Sequence, residues 1–387
     1  MLSAGRNTGL ALLAAKLAAV GFAAVVVLAL VGNITAPRQM DFMAFWAAGK
    51  LTLAGTPQAA FDIAVHDRLQ RTLVEFDGKM PFAYPPPFLL MVTPFALLPY
   101  GIAALVWAGL TYAFFIVAVR QFAPVGGWTA AAFPPVLING IIAQNGLLTG
   151  GFFVWGMALL QRRPLAAGLV LGCLVIKPHL GVLLPLALAA GGHWRAFAGA
   201  AAASLGLVLL ALLVLGIAPY QGFIEQMPLF SAIAAKGLVG WHKMASVYAA
   251  LRLAGAGPVL AWSAHIAIAC AAALIVALVW RSNTMALDAK AAMLAAGSVL
   301  ISPYIYLYDT ALLVLPFIWL ARSGEDWRVL AVLWCIPFIV ALQNWGMNDL
   351  INPAPLLALA MMALIWRRLR AFEGDGIIRA PLGRVSA

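Results

Sequence analysis

The sequence predicts an all-α bundle that crosses a membrane many times. Three observations carry that expectation. Of 387 residues, 64% are hydrophobic and 10% charged, with a mean hydropathy of +0.98. A soluble chain of this length has no core large enough to hide so much apolar surface, so much of it must face lipid. The apolar runs are of helix length and lack the period-two alternation of a barrel, and a lone helix satisfies its own backbone in hydrocarbon. The cations fall singly or in pairs at the ends of those runs, as the positive-inside bias places them. The net charge of +11 therefore reads as a topology signal and not as a nucleic-acid surface. Cys173, Cys270 and Cys335 stand apart in apolar stretches, with neither metal spacing nor a paired framework, and read as small core residues.

Windows of about 20 apolar residues define the spans. The first covers 10–33, read as an uncleaved span with Arg6 and Lys16 on the cytoplasmic side. A polar loop over 34–85 follows on the outer face. Within it, 40–54 and 58–76 read as short amphipathic helices lying along the membrane surface, separated by Gly55-Thr56-Pro57. In the second of these, Phe61, Val65, Leu69 and Leu73 recur every four residues. Residues 86–99 and 102–119 form a hairpin, with 128–143 a partial or re-entrant helix and 146–161 a span ending at Arg162-Arg163. Two short helices, 164–176 and 179–191, precede a span at 196–217 and a second outer loop at 218–256. Spans at 257–280, 286–302, 309–321, 327–343 and 354–369 complete a single integral-membrane domain over 1–387. The sum is about 12 transmembrane helices. Both termini fall in the cytoplasm, since Arg367-Arg368-Leu369-Arg370 is a strong cytoplasmic stop.

This arrangement sends an unusual set of polar residues to the outer side: Asp41, Tyr84, Gln144, Asn145, Lys177, His179, His242, Lys243, Tyr304, Tyr306, Tyr308 and Asp309. Ionisable groups within a bundle are costly and are usually functional. Asp41 stands where the chain leaves the first span. It reads either as the N-cap of the helix containing Trp46 or as a partly desolvated carboxylate with the basicity a general base needs; the two roles are compatible. Lys177-Pro178-His179 breaks an apolar run of about 28 residues, longer than one membrane crossing. A broken helix at that depth offers unpaired backbone groups and a cation to an anionic ligand; the plainer alternative is a tight turn with a snorkelling lysine. His242-Lys243 reads as a second phosphate contact or as loop charge, and Asp309 as an opening cap or a site acid. Tyr84-Pro85-Pro86-Pro87 fixes the start of a helix beside the first loop. No P-loop, GxGxxG, HExxH or GxSxG pattern occurs.

The blocks DFMAFWAAGKLTLAGTPQAAFD, AYPPPFLLMVTPFALLPYG and AQNGLLTGGFFVWGMALLQRRPLAAGLVLGCLVIKPHLGVLLPLALAAGGHWRAF resemble glycosyltransferase family 87. The likeness covers about 40–200 and weakens towards SPYIYLYDTALL at 302–313. The family has the GT-C fold and is similar to the mycobacterial mannosyltransferase of phosphatidylinositol mannosides. The resemblance implies a polyprenyl-phosphate sugar as donor, no cofactor, inversion in a single displacement, and Asp41 as general base. It implies donor-phosphate or substrate binding by Lys177 and His179 of the K-P-[QH] block and by Gln144 and Asn145 of the G-Q-N block. Ala143 stands where that block usually has glycine, which puts the turn there in question. His242, Tyr84 and Tyr306 are carried over to substrate binding. No metal ligand is assigned, and a bound divalent ion stays open. The acceptor would be a glycolipid or cell-envelope glycan on the extracytoplasmic side of the inner (plasma) membrane. A transporter or lipid flippase also uses broken helices and an intramembrane lysine, and an assembly subunit is a third class. No inverted repeat favours transport.

Overall fold

The computed structural model describes residues 2–238, 240–343 and 352–374. The C-terminal tail beyond 374, expected in the cytoplasm, lies outside them. Among the described residues the fold is all-helical, with a single antiparallel bridge between Met244 and Tyr306. Among the described residues four helices are long and apolar enough to cross a membrane: the stretch Leu12–Thr35 of α1 (Leu2–Thr35), α5 (Tyr100–Phe122), α11 (Trp194–Leu215) and α14 (Pro258–Arg281). With the shorter apolar helices around them, these are the helices of a multi-pass membrane protein.

The first loop departs from expectation in two ways. The helix α2 (Phe42–Leu53) does not lie on a surface, because every residue from Phe42 to Gly49 is buried. Its sequence is apolar almost all round, and such a helix belongs in a core. The stretch expected as one helix over 58–76 is a 3-10 turn, Pro57–Ala60, followed by α3 (Ile63–Arg71). Asp62 separates them by accepting from the Ala64 and Val65 N–H groups at 2.9 and 3.1 Å, the N-cap arrangement. The apolar stripe of α3 is also not what faces inward. His66, Asp67 and Gln70 are buried while Val65, Leu69 and Leu73 stay half-buried. Polar partners decide this. His66 Nε2 lies 3.0 Å from Ala44 O, and Gln70 Nε2 donates to Met80 O at 3.0 Å. With these partners the two polar side chains are buried at little cost, and part of an aliphatic stripe stays outside.

Beyond the loop come α4 (Pro87–Val92), then after α5 the short α6 (Gly127–Ala131) and α7 (Pro134–Ile142), and α8 (Gly146–Leu159). The pair expected at 164–176 and 179–191 is α9 (Pro164–Gly172) and α10 (Leu183–Ala190), joined by 3-10 turns at Cys173–Ile176 and Pro178–Leu180. Gly168 and Gly172 of α9 leave no room for a Cβ against the backbone of α11 at Ala196 and Ala200. This small-residue spacing lets two helix backbones touch, as membrane helices do where apolar burial gives no drive. The second loop contains α12 (Ala218–Ala235) and α13 (Val247–Leu253). After α14, the helices α15 (Leu287–Ile301), α16 (Val314–Arg322), α17 (Trp327–Gln343) and α18 (Ala354–Gly374) close the bundle. Glu325, between α16 and α17, accepts from Arg367 and Arg368 of α18 at 2.8 to 3.0 Å and ties their ends together.

Two cores result. One gathers aromatic residues of the first loop, α4 and α5: Phe42, Phe45, Phe82, Phe88 and Trp107. The other is aliphatic and runs from α5 through α18. Ala143 and Ile176 belong to the first, and their neighbours Leu147 and Leu174 to the second. The polar residues singled out above meet along this seam.

Candidate active site

Asp41 occupies the position before α2, but its side chain caps no amide. It accepts instead from Gln144 Nε2 at 3.1 Å. Burial raises the Asp41 pKa above its ordinary value, opposed by the Gln144 hydrogen bond and by the charges of Lys243 and Lys177. The α2 helix is an immobile support: Trp46 Nε1 donates to Leu98 O at 3.0 Å, and Phe45 packs edge-on against Tyr84, Phe88 and Trp107.

From Asp41 a hydrogen-bonded chain runs across the seam. Gln144 Oε1 accepts from the Tyr84 hydroxyl at 3.3 Å and from the Asn145 N–H at 2.7 Å. Asn145 Oδ1 accepts from Lys177 Nζ at 3.0 Å. Lys177 Nζ donates in turn to Asp309 Oδ1 at 2.6 Å. The other carboxylate oxygen, Oδ2, accepts from the Tyr306 N–H at 3.4 Å and lies 3.9 Å from His179 Nε2. Lys177 is 4% exposed, so it does not snorkel. Its ammonium sits 4.5 Å from the Tyr308 ring centre and 5.7 Å from that of Tyr84, where the ring faces favour a cation. Tyr306 and Tyr308 stack in parallel, 5.3 Å apart.

Local backbone explains why these side chains converge. Ala143, which follows α7, adopts φ 49° and ψ 46°, the left-handed conformation that glycine takes without strain. The turn is therefore kept despite the alanine, and it aims Gln144 and Asn145 into the seam. Asn139 Nδ2 donates to Tyr308 O at 2.7 Å, and a Cβ on Gly146 would collide with that same carbonyl. The turn and the 306–309 segment are thus locked together. Lys177 is extended between two 3-10 turns, at φ −146°, since the following proline excludes the helical region. Asp309 is the third residue of the 3-10 stretch Leu307–Leu313 and reaches back to the N–H of the capping residue Tyr306. A capping role, from within the helix and not at its opening position, and a place in the site therefore coincide.

The second loop reaches the site through Lys243. The His242 ring lies over Gly240 of its own turn, and the exposed Lys243 adds its charge to that of Lys177 on Asp41. Ala245 N–H donates to Ile305 O at 2.7 Å and Ser246 Oγ to Pro303 O at 2.6 Å, holding that turn against the tyrosine segment. The sequence reads Asp309 as either an opening cap or a site acid. A signal was present: a buried lysine needs a counter-charge, and Asp309 is the sole carboxylate between Asp288 and Glu325.

Two buried nitrogens at the centre, Asn145 Nδ2 and His179 Nε2, have no hydrogen-bond partner among the described residues. With Lys177 they form a set suited to an anion. On the other side of the break, Pro178 lines an apolar groove of about 250 Å³ with Leu174, Val175, Leu184, Phe197 and Ala201. Its Ser204 hydroxyl is spent internally, donating to Gly172 O at 3.0 Å. Among the described residues no three His, Cys, Asp or Glu side chains gather as a metal set.

The family model for glycosyltransferase family 87 matches residues 82–303, more than half of the chain. The chain belongs to glycosyltransferase family 87. No curated protein and no solved structure matches it. Membership makes the protein a glycosyltransferase, acting on a sugar donor and an acceptor. The family match takes in Tyr84, Gln144, Asn145, Lys177, His179 and Lys243, whereas Asp41 and Asp309 fall outside it. Both carboxylates nonetheless join the same hydrogen-bonded chain as the family residues.

Proposed function

We propose that this glycosyltransferase moves a hexose, mannose in the first instance, from a polyprenyl-phosphate sugar to a glycolipid or cell-envelope glycan, with inversion and with Asp41 as general base. The observation that carries the reading is the single polar chain from Asp41 to Lys177. A carboxylate of raised basicity stands at one end and a cation with those two unpartnered nitrogens at the other.

In this reaction the acceptor hydroxyl attacks the anomeric carbon. Its proton passes to an Asp41 carboxylate oxygen, the carbon–oxygen bond to phosphate breaks, and the bonding pair leaves on the phosphate. Gln144 holds Asp41 in position. Lys177, Asn145 and His179 meet the charge that develops on the leaving phosphate, where fixed donors out of water are most effective. The apolar groove at Pro178 accepts the first isoprene units of the donor, and the tyrosine pair offers a flat face to the sugar ring. Donor and acceptor approach from the extracytoplasmic side of the inner membrane, on which the positive-inside reading puts this end of the bundle.

The test is sugar transfer by the purified protein in lipid, given radiolabelled polyprenyl-phosphate mannose and a membrane lipid extract. Native protein should yield a labelled glycolipid. Asp41→Asn should bind the donor as before and turn over at least about 100-fold more slowly, the range for loss of a general base. Equal transfer by both proteins would remove Asp41 from the mechanism.

A further inference from the structure

The strongest feature the mechanism leaves unused is Asp309. Its carboxylate is 1% exposed, sits 2.6 Å from the ammonium that would receive the leaving phosphate, and cannot swing away. The Tyr306 N–H holds Oδ2 and the surrounding segment Leu307–Leu313 is buried throughout. A fixed negative charge beside an anion seat weakens the seat, so its presence there needs an account.

The chemistry supplies one. A lipid-phosphate sugar is a phosphodiester with one negative charge. Breaking its bond to the sugar, with the bonding pair on oxygen and the acceptor proton on Asp41, leaves a phosphate monoester with two. A seat built from Lys177 alone would hold that product more tightly than the substrate, since attraction rises with ligand charge. The charged groups facing the seat are Lys177 and Lys243 against Asp41 and Asp309. Before transfer these stand two against two. Once Asp41 holds the acceptor proton, Asp309 is the one carboxylate charge left among them, with the His179 ring 3.9 Å from its Oδ2. The remaining neighbours, Asn145, Gln144, Tyr84, Tyr306 and Tyr308, carry no formal charge.

Resting on the reading of this site as a lipid-phosphate seat, we propose that Asp309 sets its charge preference. By neutralising Lys177 it makes the seat favour a singly charged phosphodiester over a doubly charged monoester, and so speeds release of the lipid phosphate that transfer leaves behind. Asp309 touches neither the sugar nor the proton in transit. It acts through Lys177 and is a positioning residue.

The experiment needs no sugar transfer. Equilibrium binding of tritiated farnesyl phosphate, a monoester, and of its methyl diester is measured on the full chain in lipid nanodiscs at pH 8, where the monoester is doubly charged. Native protein should bind the diester at least as tightly as the monoester. Asp309→Asn should shift the ratio by about tenfold or more towards the monoester, and Asp309→Glu should restore it. A purely structural role for Asp309 would weaken both ligands together and leave the ratio unchanged, which would overturn the proposal. So would a native preference of tenfold or more for the monoester, a result that stands even where Asp309→Asn does not fold. Failure of native protein to bind either compound would remove the phosphate seat itself, and the charge preference with it.

Discussion

Two lysine–carboxylate contacts in this protein have the same length and opposite surroundings. Lys79 meets Asp67 at 2.6 Å, the lysine side chain 52% exposed; Lys177 meets Asp309 at 2.6 Å, the two side chains 4% and 0% exposed. At the surface, partial burial of Asp67 is outweighed by Arg71 and Lys79, which together hold its carboxyl below the usual range. Water solvates Lys79, and Asp67, itself buried, keeps the two Arg71 hydrogen bonds at 2.9 and 3.3 Å when Lys79 is removed. Between Lys177 and Asp309 water cannot do so, and each is the other's condition for being charged. Distance is thus a poor guide to what an ion pair does. Solvent access separates a contact that trims a loop from one that organises a site.

The largest expected effect tests this directly. Lys177→Met leaves Asp309 buried without its cation and should lower stability by about 3–5 kcal/mol, read from thermal unfolding in detergent. The double variant Lys177→Met with Asp309→Leu should recover most of that loss while transferring no sugar. Recovery of stability without activity would show that the pair serves the site and not the fold.

The next effect lies in the first loop, where His66 is 1% exposed and burial lowers its pKa from 6.5 to about 4, against the hydrogen bond to Ala44. The unfolded chain binds the proton first, so this contribution is whole above pH 6.5 and is lost as pH falls towards 4. It amounts to about 3 kcal/mol. Thermal unfolding from pH 7.5 down to 4 should show this decline in native protein and much less of it in His66→Gln, which keeps a donor for Ala44 O and does not titrate. Identical pH curves would place the acid sensitivity elsewhere.

Smaller still is Ala143→Gly, which relieves a left-handed alanine and should stabilise the protein by about 0.5–1 kcal/mol after the entropy of the added glycine is subtracted. A loss of stability would mean that the alanine methyl contributes packing beyond its strain. The smallest effect returns to the surface contact. Lys79→Met should change stability by less than about 1 kcal/mol, and a loss approaching that of Lys177→Met would erase the distinction between the two pairs.

Helix positions were legible because apolar length and punctuation are local properties. The breaks at Pro57, Pro178 and Pro258 fall where the chain was expected to turn, whereas Pro134 splits the helix expected over 128–143. The α3 helix shows the limit. Its four-residue apolar stripe is real, yet His66 and Gln70 turn inward onto the carbonyls of Ala44 and Met80. Those acceptors are on segments that a periodicity count over 58–76 does not see. The α2 helix failed as a surface helix for a plainer reason: a helix without a polar face has nothing to show to water. At the site, Asp41, Tyr84, Gln144, Asn145, Lys177, His179 and Tyr306 were all expected and the structure brings them together. From the second loop, Lys243 acts by its charge on Asp41, a pairing about 200 residues apart that no local spacing carries.

By itself, then, the sequence determined a helical membrane protein, the polar breaks within it and the family that its central blocks resemble. All of these are read from runs and spacings a few tens of residues long. Only the tertiary structure decided that Lys177 is paired and with whom, because its partner lies 132 residues away. A buried charge selects its counter-ion by where helices pack, and neither composition nor period carries that choice.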